Sequence, residues 1–179
     1  MKQCYPLRLA PLKSFEIKYQ LKWNFSKSGL PIGLISVPHF KSFLYDLPNT
    51  TPQDANEYMP ETAILYVHWI FALHDREIKT ITTPYAGTML NCFEFFVKNH
   101  QMLINDVRKG TITNFGGEIT ESVLNYVRSH PAIKPNPQRA DEIWAETSKG
   151  FKGIAKRIWP RLSLSLRLFS SSSSSFSIP

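Results

Sequence analysis

The sequence has few cysteines and no apolar run long enough to cross a bilayer. Cys4 and Cys92 are the two cysteines among 179 residues, too few for a disulfide framework. The longest apolar run, AILYVHWIFAL at 63–73, has 11 residues and contains a histidine, whereas a transmembrane helix needs ~20. The first residues contain no continuous apolar stretch of the signal-peptide kind. We therefore expect a cytoplasmic protein without a membrane partner.

The sequence also lacks the short motifs that mark common active sites. It contains no Gly-x-Ser-x-Gly elbow, no Gly-x-x-x-x-Gly-Lys phosphate loop and no His-Glu-x-x-His zinc motif. His68 and His74 are six positions apart, so they do not share a helix face, and we expect no metal site. The charged run 75–77 is expected to be a solvated helix end rather than an acid–base pair.

Positive charge is in excess, with a formal net charge of +7. Residues 1–30 carry six basic side chains and one acid, and residues 150–179 carry five basic side chains and no acid. The stretch between them has ten basic and thirteen acidic side chains. A nucleic-acid-binding domain is expected to concentrate basic residues on its folded surface. Because the excess sits in the ends, we expect no nucleic-acid partner.

What is present is a helical pattern with a few short strands. Pro137 after Asn136 and Pro84 after Thr83 read as helix starts, because proline fits the first helical position behind a capping side chain. Gly110 reads as a helix stop. The periodicity predicts helices near 60–74, 85–108, 119–129 and 138–148, and strands near 31–37 and 78–82, with alternation that suits a further strand within 13–23. The predicted class is α/β, with mixed short strands and several amphipathic helices.

Three strings resemble one enzyme family. They are YVHWIFALHDREI (66–78), TPYAGTMLNCFEFFVKNHQMLINDVRKGTIT (83–113) and ITESVLNYVRSHPAIKPNPQRADEIWAETSKGFKGIAKRIWPRL (119–162). The last contains a Pro-x-Pro-x-x-Ala-Asp-like element and a Gly-Ile-x-x-Arg-Ile-Trp-Pro element. Their order is similar to that in the auxin-responsive acyl-acid-amido synthetases, the Gretchen Hagen family of the acyl-adenylate-forming superfamily. The resemblance covers about 130 residues, 29–160.

The resemblance implies a ligase that adenylates a small acyl acid with ATP and magnesium and then joins it to an amino acid. The family's phosphate loop, Ser-Ser-Gly-Thr-Thr-x-Gly-x-x-Lys, and its Tyr-Ala-Ser-Ser-Glu string do not occur in this sequence. No catalytic, cofactor-binding or metal-binding residue is therefore carried over. We expect an internal fragment of the large N-terminal domain that binds no cofactor and is inactive by itself.

In the family, helices of the large domain form one wall of the acyl pocket, and the helix predicted at 60–75 resembles one of them. Tyr66, Trp69 and Leu73 share a face of that helix and are the substrate-pocket candidates. The alternative is that this face is ordinary core packing, since aromatic stripes at helical spacing are usually packing. The rival to a ligase fragment is a non-catalytic α/β acyl-binding or scaffold paralogue.

The sequence divides into three parts. Residues 1–28 form an N-terminal segment without a clear period, 29–160 form the partial large domain, and 161–179 form a serine-rich tail expected to be disordered. A partial domain is also expected to leave apolar surface uncovered and to aggregate or bind hydrophobic dyes. In particular, Trp69, Phe71, Phe95 and Trp159 are not expected to share one small core.

Overall fold

The computed structural model describes residues 13–17, 24–28, 31–32, 49–55, 59–83 and 86–163. The helices in these ranges are α1 (Glu61–His74), α2 (Ala86–Lys109), α3 (Glu121–Ser129), α4 (Pro137–Thr147) and α5 (Ile154–Ile158). The strands are β1 (Ser14–Glu16), β2 (Asn24–Phe25), β3 (Pro31–Ile32) and β4 (Thr80–Thr82). Short 3-10 turns lie at Gln53–Ala55 and Phe115–Gly117.

All four predicted helices are confirmed, with ends that differ by one or two residues. The start of α4 follows the predicted cap: the Asn136 side chain accepts from Arg139 N at 3.0 Å, and Pro137 is the first helical residue. Thr120 caps α3 in the same way, accepting from Val123 N. The predicted start of α2 at 83–84 falls partly outside the described residues.

The strands form two small sheets, and the first of them connects distant parts of the chain. β1 runs parallel to β4, with Phe15 opposite Ile81, and β2 pairs antiparallel with β3. The strand predicted at 78–82 is confirmed at its second half, and β1 lies within the stretch 13–23. Of the strand predicted at 31–37, the part beyond Ile32 lies outside the described residues. Because β1 pairs with β4, residues 14–16 of the segment without a clear period belong to the same folded unit.

The core is centred on α1, whose residues 63–73 are all buried. Beneath β1, the Trp69 ring stacks on Phe96 at 4.4 Å and on Trp159 at 5.9 Å, and it meets Phe15 edge-on at 5.2 Å, all between ring centroids. α2 packs against both α1 and α4. The core therefore joins the sheet, two helices and the end of the described chain.

The expectation that the large aromatic side chains could not share one core is wrong. Trp69 and Trp159 are 0% exposed, Phe71 is 2% exposed and Phe95 is 7% exposed. The reason is that α1 is enclosed on every side, so Phe71 packs edge-on against His130 while Trp69 packs on the opposite side of the helix. Within the described ranges, the large apolar side chains that remain exposed are Leu90, Val97 and Trp144. The expected aggregation was based on exposed aromatic side chains, and these four are buried. Aggregation itself stays a prediction.

The described chain reaches into the predicted tail. Leu162 is buried, and Ser163 N donates to Lys79 O at 2.8 Å. Residues 164–179, including the serine tract, lie outside the described residues, so their disorder stays a prediction. Among the helices that the structure describes, none combines the length and apolarity that crossing a membrane would need.

Candidate functional site

The three pocket candidates all lie on α1 and have no exposed surface. Trp69 Nε1 donates to Cys92 O at 3.0 Å, which fastens α1 to α2. Burial raises the pKa of the Cys92 thiol, so it stays a neutral and unreactive thiol. Tyr66 and Leu73 are equally covered. The structure thus places the candidate face inside the core, and its role as a pocket wall stays a prediction.

The hydroxyl of Tyr66 is part of a buried polar network. It donates to Asp106 Oδ2 at 2.6 Å and accepts from Thr113 N at 2.8 Å. Asp106 Oδ1 accepts from the hydroxyls of Thr111 and Thr113, each at 3.1 Å. Burial, followed by the hydrogen bond and charge of Asp106, raises the pKa of Tyr66, so the phenol remains a donor. The network fixes the loop that follows α2 to the middle of α1.

The carbonyl end of α1 is capped by side chains from far along the chain. Arg139 Nε donates to Leu73 O at 3.0 Å. Trp159 Nε1 lies 3.2 Å from Ala72 O and 2.9 Å from Asp75 O. The last four carbonyls of a helix have no partner within it, and burying them without one is costly. Arg139 and Trp159, which we call the α1 clamp, supply those partners.

Arg139 also links α1 to the two last helices. Its Nη2 donates to Ile158 O at 3.0 Å, and its Nη1 pairs with Glu142 at 3.1 Å. Burial lowers the pKa of the Arg139 guanidinium, and the Glu142 hydrogen bond opposes that shift. An arginine side chain stays protonated in proteins, so its charge remains, neutralised by Glu142.

A cavity of about 280 Å³ opens beside the clamp. Its charged wall consists of Arg76, Arg139, Glu142, Glu146 and Arg157. Glu142 pairs with both Arg76 and Arg139, and Glu146 pairs with Arg157 at 3.0 Å and with Lys149 at 2.7 Å. The pKa of Glu146 is lowered, and the largest cause is the hydrogen bond from Lys149. Each carboxylate of this wall already has two cationic partners. The charged side chains around the cavity therefore neutralise one another, and we assign them no acid–base role.

The charged run at the end of α1 is also paired. Asp75 accepts from Lys13 Nζ at 2.7 Å, Arg76 pairs with Glu142 at 3.1 Å, and Glu77 pairs with Arg161. The prediction of a solvated helix end is confirmed for Arg76, which is exposed, while Asp75 and Glu77 are partly covered.

The described ranges hold no cluster of three His, Cys, Asp or Glu side chains that could bind a metal ion. His68 Nδ1 is 2.9 Å from Thr51 Oγ1, and His74 Nδ1 donates to Ile70 O at 2.8 Å. Burial lowers the pKa of His74. Mg²⁺ prefers oxygen ligands, so these two imidazole side chains do not fit a magnesium site.

The fold is that of an α/β domain, and its sequence matches the model of a known family. The model described as GH3 family N-terminal domain matches residues 5–176. The chain belongs to the GH3 family, and the expected resemblance is confirmed.

Two relatives are named as amido synthetases. They are the indole-3-acetic acid-amido synthetases GH3.6 and GH3.5 of Arabidopsis thaliana. The chain is 28% identical to GH3.6 over 152 residues and 28% identical to GH3.5 over 153 residues. Each match covers 75% of this chain and 24% of the relative. The chain therefore matches about a quarter of the length of these relatives.

Solved structures show the same fold. GH3.15 acyl acid amido synthetase superposes with a TM-score of 0.74 and 21% identity, over 88% of this chain and 28% of that one. The structure titled AtGH3.15 acyl acid amido synthetase in complex with 2,4-DB gives a TM-score of 0.75 at 21% identity, over 89% of this chain and 28% of that one. The chain thus shares its fold with part of the GH3.15 structures, and the predicted α/β class is confirmed.

The three buried side chains that make the main contacts lie in sequence strings already singled out, but the contacts themselves were not predicted. Asp106 lies in the string NDVRKGTIT, Arg139 in the Pro-x-Pro element and Trp159 in the Trp-Pro element. The signal that could have identified them is their chemistry. An aspartate on the apolar side of a helix and an arginine in the first turn of a helix both need partners.

Proposed function

We propose that this chain forms part of the large domain of an ATP-dependent acyl-acid-amido synthetase. Such an enzyme adenylates a carboxylic acid and then transfers the acyl group to an amino acid. The observation that carries the proposal is the family match over residues 5–176, and the fold shared with GH3.15 supports it. The acyl substrate is a small organic acid, because the relatives are named for indole-3-acetic acid and one solved structure is titled with 2,4-DB.

ATP and magnesium belong to this proposal as requirements of the intact enzyme, which we place in the cytoplasm. Transfer of AMP to a carboxylate needs donors and cations that stabilise charge on the phosphates. Neither family string with that role occurs in the sequence. We therefore expect the chain to lack adenylation activity by itself.

Tyr66, Trp69 and Leu73 remain the candidates for a wall of the acyl pocket. Their burial supports the plain core role equally well. Tyr66→Phe discriminates between the two roles in an intact enzyme, because it keeps the ring and removes only the hydroxyl. A pocket role changes the KM for the acid at unchanged KM for ATP, whereas a core role changes only the free energy of unfolding.

The test is to sequence the transcript on both sides of this coding region and assay the enzyme encoded by the joined reading frame. The proposal expects a Ser/Thr-Gly-rich phosphate-loop string upstream and a Tyr-Ala-Ser-Ser-Glu string downstream. The joined enzyme should then form an amide from an acyl acid, an amino acid and ATP. Absence of both strings, together with binding of 2,4-DB by this chain without ATP, would instead favour the non-catalytic acyl-binding paralogue.

A further inference from the structure

His74, the last residue of α1, has one ring nitrogen that is hydrogen-bonded and one that is not. Its Nδ1 lies 2.8 Å from Ile70 O, and because a carbonyl oxygen only accepts, Nδ1 carries the hydrogen. Nε2 is buried, and no group of the described ranges forms a hydrogen bond with it. In a neutral imidazole with its hydrogen on Nδ1, Nε2 holds a lone pair. Nε2 is therefore the atom that a proton would join, and protein encloses it.

Arg139 of the α1 clamp is bound to the residue next to His74. Its Nε donates at 3.0 Å to the backbone oxygen of Leu73. The pKa of His74 is lowered, chiefly by burial and further by the positive charge of Arg139, while the backbone oxygens of Ile70 and Lys134 oppose the shift. The Lys134 side chain itself belongs to an exposed residue. The fold thus holds a neutral imidazole close to a buried guanidinium.

The carboxylates at this end of α1 already have cationic partners. Glu142 pairs with Arg139 and with Arg76, each at 3.1 Å. Asp75 pairs with Lys13 at 2.7 Å. A proton on the buried imidazole would therefore add a second positive charge beside Arg139 while both nearby carboxylates are engaged elsewhere. Placing a charge in a buried site without its own partner is costly.

We propose that His74 and Arg139 form an acid-sensitive latch at the end of α1. Protonation of His74 Nε2 places two like charges together in a buried site, and the contact between Arg139 and Leu73 O loosens in response. The packing of α1 against α4 loosens with it, because the Arg139 side chain joins the two helices. This inference does not rest on the proposed function.

The latch is stable at neutral pH and weakens in acid. The folded chain binds the His74 proton less tightly than the unfolded chain does, in which a histidine has a pKa of about 6.5. The stability that comes from the neutral ring is therefore complete well above about pH 6.5 and declines as the pH falls below that value.

Urea unfolding of the full chain at about pH 7.5 and about pH 5.5 tests the latch, since most carboxylates stay ionised over this range. The parent should lose about 0.5 M in its urea midpoint between the two pH values, and His74→Gln, whose amide does not titrate, should lose less than half as much. His100→Gln is the matched control. His100 Nδ1 makes the same kind of contact, 2.8 Å from Val97 O, on an exposed part of α2. This control should lose as much as the parent, and an equal loss in His74→Gln would overturn the proposal.

NMR titration of the parent chain keeps the test independent of how stable the variant is. The Arg139 Nε–H signal reports on its hydrogen bond to Leu73 O. We expect this signal to shift with the same midpoint as the ring protons of His74, below about pH 6.5. A His74 ring that titrates at or above that value would overturn the proposal. An Arg139 signal that stays constant while His74 takes up its proton would overturn it as well.

Discussion

At the scale of single residues, a few buried polar side chains connect segments that are far apart in the chain. Arg139 is the clearest case, because one guanidinium reaches Leu73 O, Ile158 O and Glu142 at 3.0–3.1 Å. Its planar fork presents several donors in fixed directions, which a lysine ammonium cannot reproduce. The position of α1 relative to α4 and α5 therefore depends on this side chain.

Replacing Arg139 by lysine should lower the free energy of unfolding by about 2–3 kcal/mol, because buried carbonyls lose charged donors. Urea unfolding followed by circular dichroism measures the change. Arg76→Lys is the matched control, since Arg76 contacts the same Glu142 but is 58% exposed. It should change the free energy of unfolding by no more than about 0.5 kcal/mol. Equal losses in both variants would show that the buried carbonyl contacts of Arg139 contribute little.

At the scale of elements, the helices end in different ways. α1 ends against the clamp, whereas α2 ends at Lys109 and is followed by Gly110, which has a left-handed φ of +62°. A Cβ at Gly110 would lie 2.2 Å from Pro135 N and 2.4 Å from the carbonyl carbon of Lys134. Glycine is therefore required there both for the conformation and for the close approach of the two backbones.

Gly110→Ala should destabilise the fold by at least about 2 kcal/mol, combining the left-handed strain with displacement of neighbouring backbone. Gly87→Ala, near the start of the same helix, should be neutral or slightly stabilising. A Cβ at Gly87 would have no atom within 4 Å, and alanine favours the helix. Thermal unfolding of the two variants and of the parent protein measures these changes in stability. A Gly110→Ala protein as stable as Gly87→Ala would refute the close approach to Pro135.

Local signals in the sequence were enough to predict α2 and α4 to within about a residue, because caps, stops and apolar spacing act over a few positions. The contacts between elements could not be predicted in this way. Arg139 and Leu73 are 66 residues apart, and Tyr66 and Asp106 are 40 apart. The sequence could not establish whether Tyr66, Trp69 and Leu73 line a pocket, for a related reason. α1 is buried on all sides, so helical periodicity cannot tell which of its faces meets a ligand and which meets the core.

At the scale of the whole molecule, one aromatic cluster joins parts of the chain that are distant in sequence. Phe15 from β1, Trp69 from α1, Phe96 from α2 and Trp159 after α5 meet within about 6 Å between ring centroids. Aromatic pairs contribute beyond the area that they bury. We expect this cluster to make the described ranges unfold as one cooperative unit.

Trp69→Phe should lower the free energy of unfolding by about 1.5–3 kcal/mol, because it leaves a void and removes the hydrogen bond to Cys92 O. The same exchange at Trp144, which is 47% exposed on α4, should cost no more than about 0.5 kcal/mol. Chemical denaturation monitored by fluorescence and circular dichroism provides both values. Non-coincident transitions from the two probes in the parent chain would argue against a single cooperative unit.

The most direct test of the account is ATP–pyrophosphate exchange with the purified chain, ATP, magnesium and a panel of aryl and alkyl acids. Loss of even one preorganised donor in comparable sites costs about 10²–10³ in rate, and here the whole phosphate loop string is missing from the sequence. An intact GH3 amido synthetase serves as the positive control. We predict exchange equal to that of a protein-free control for every acid. Exchange above that control would show that these residues contain a nucleotide site, and it would contradict the proposal that this part of the domain does not adenylate by itself.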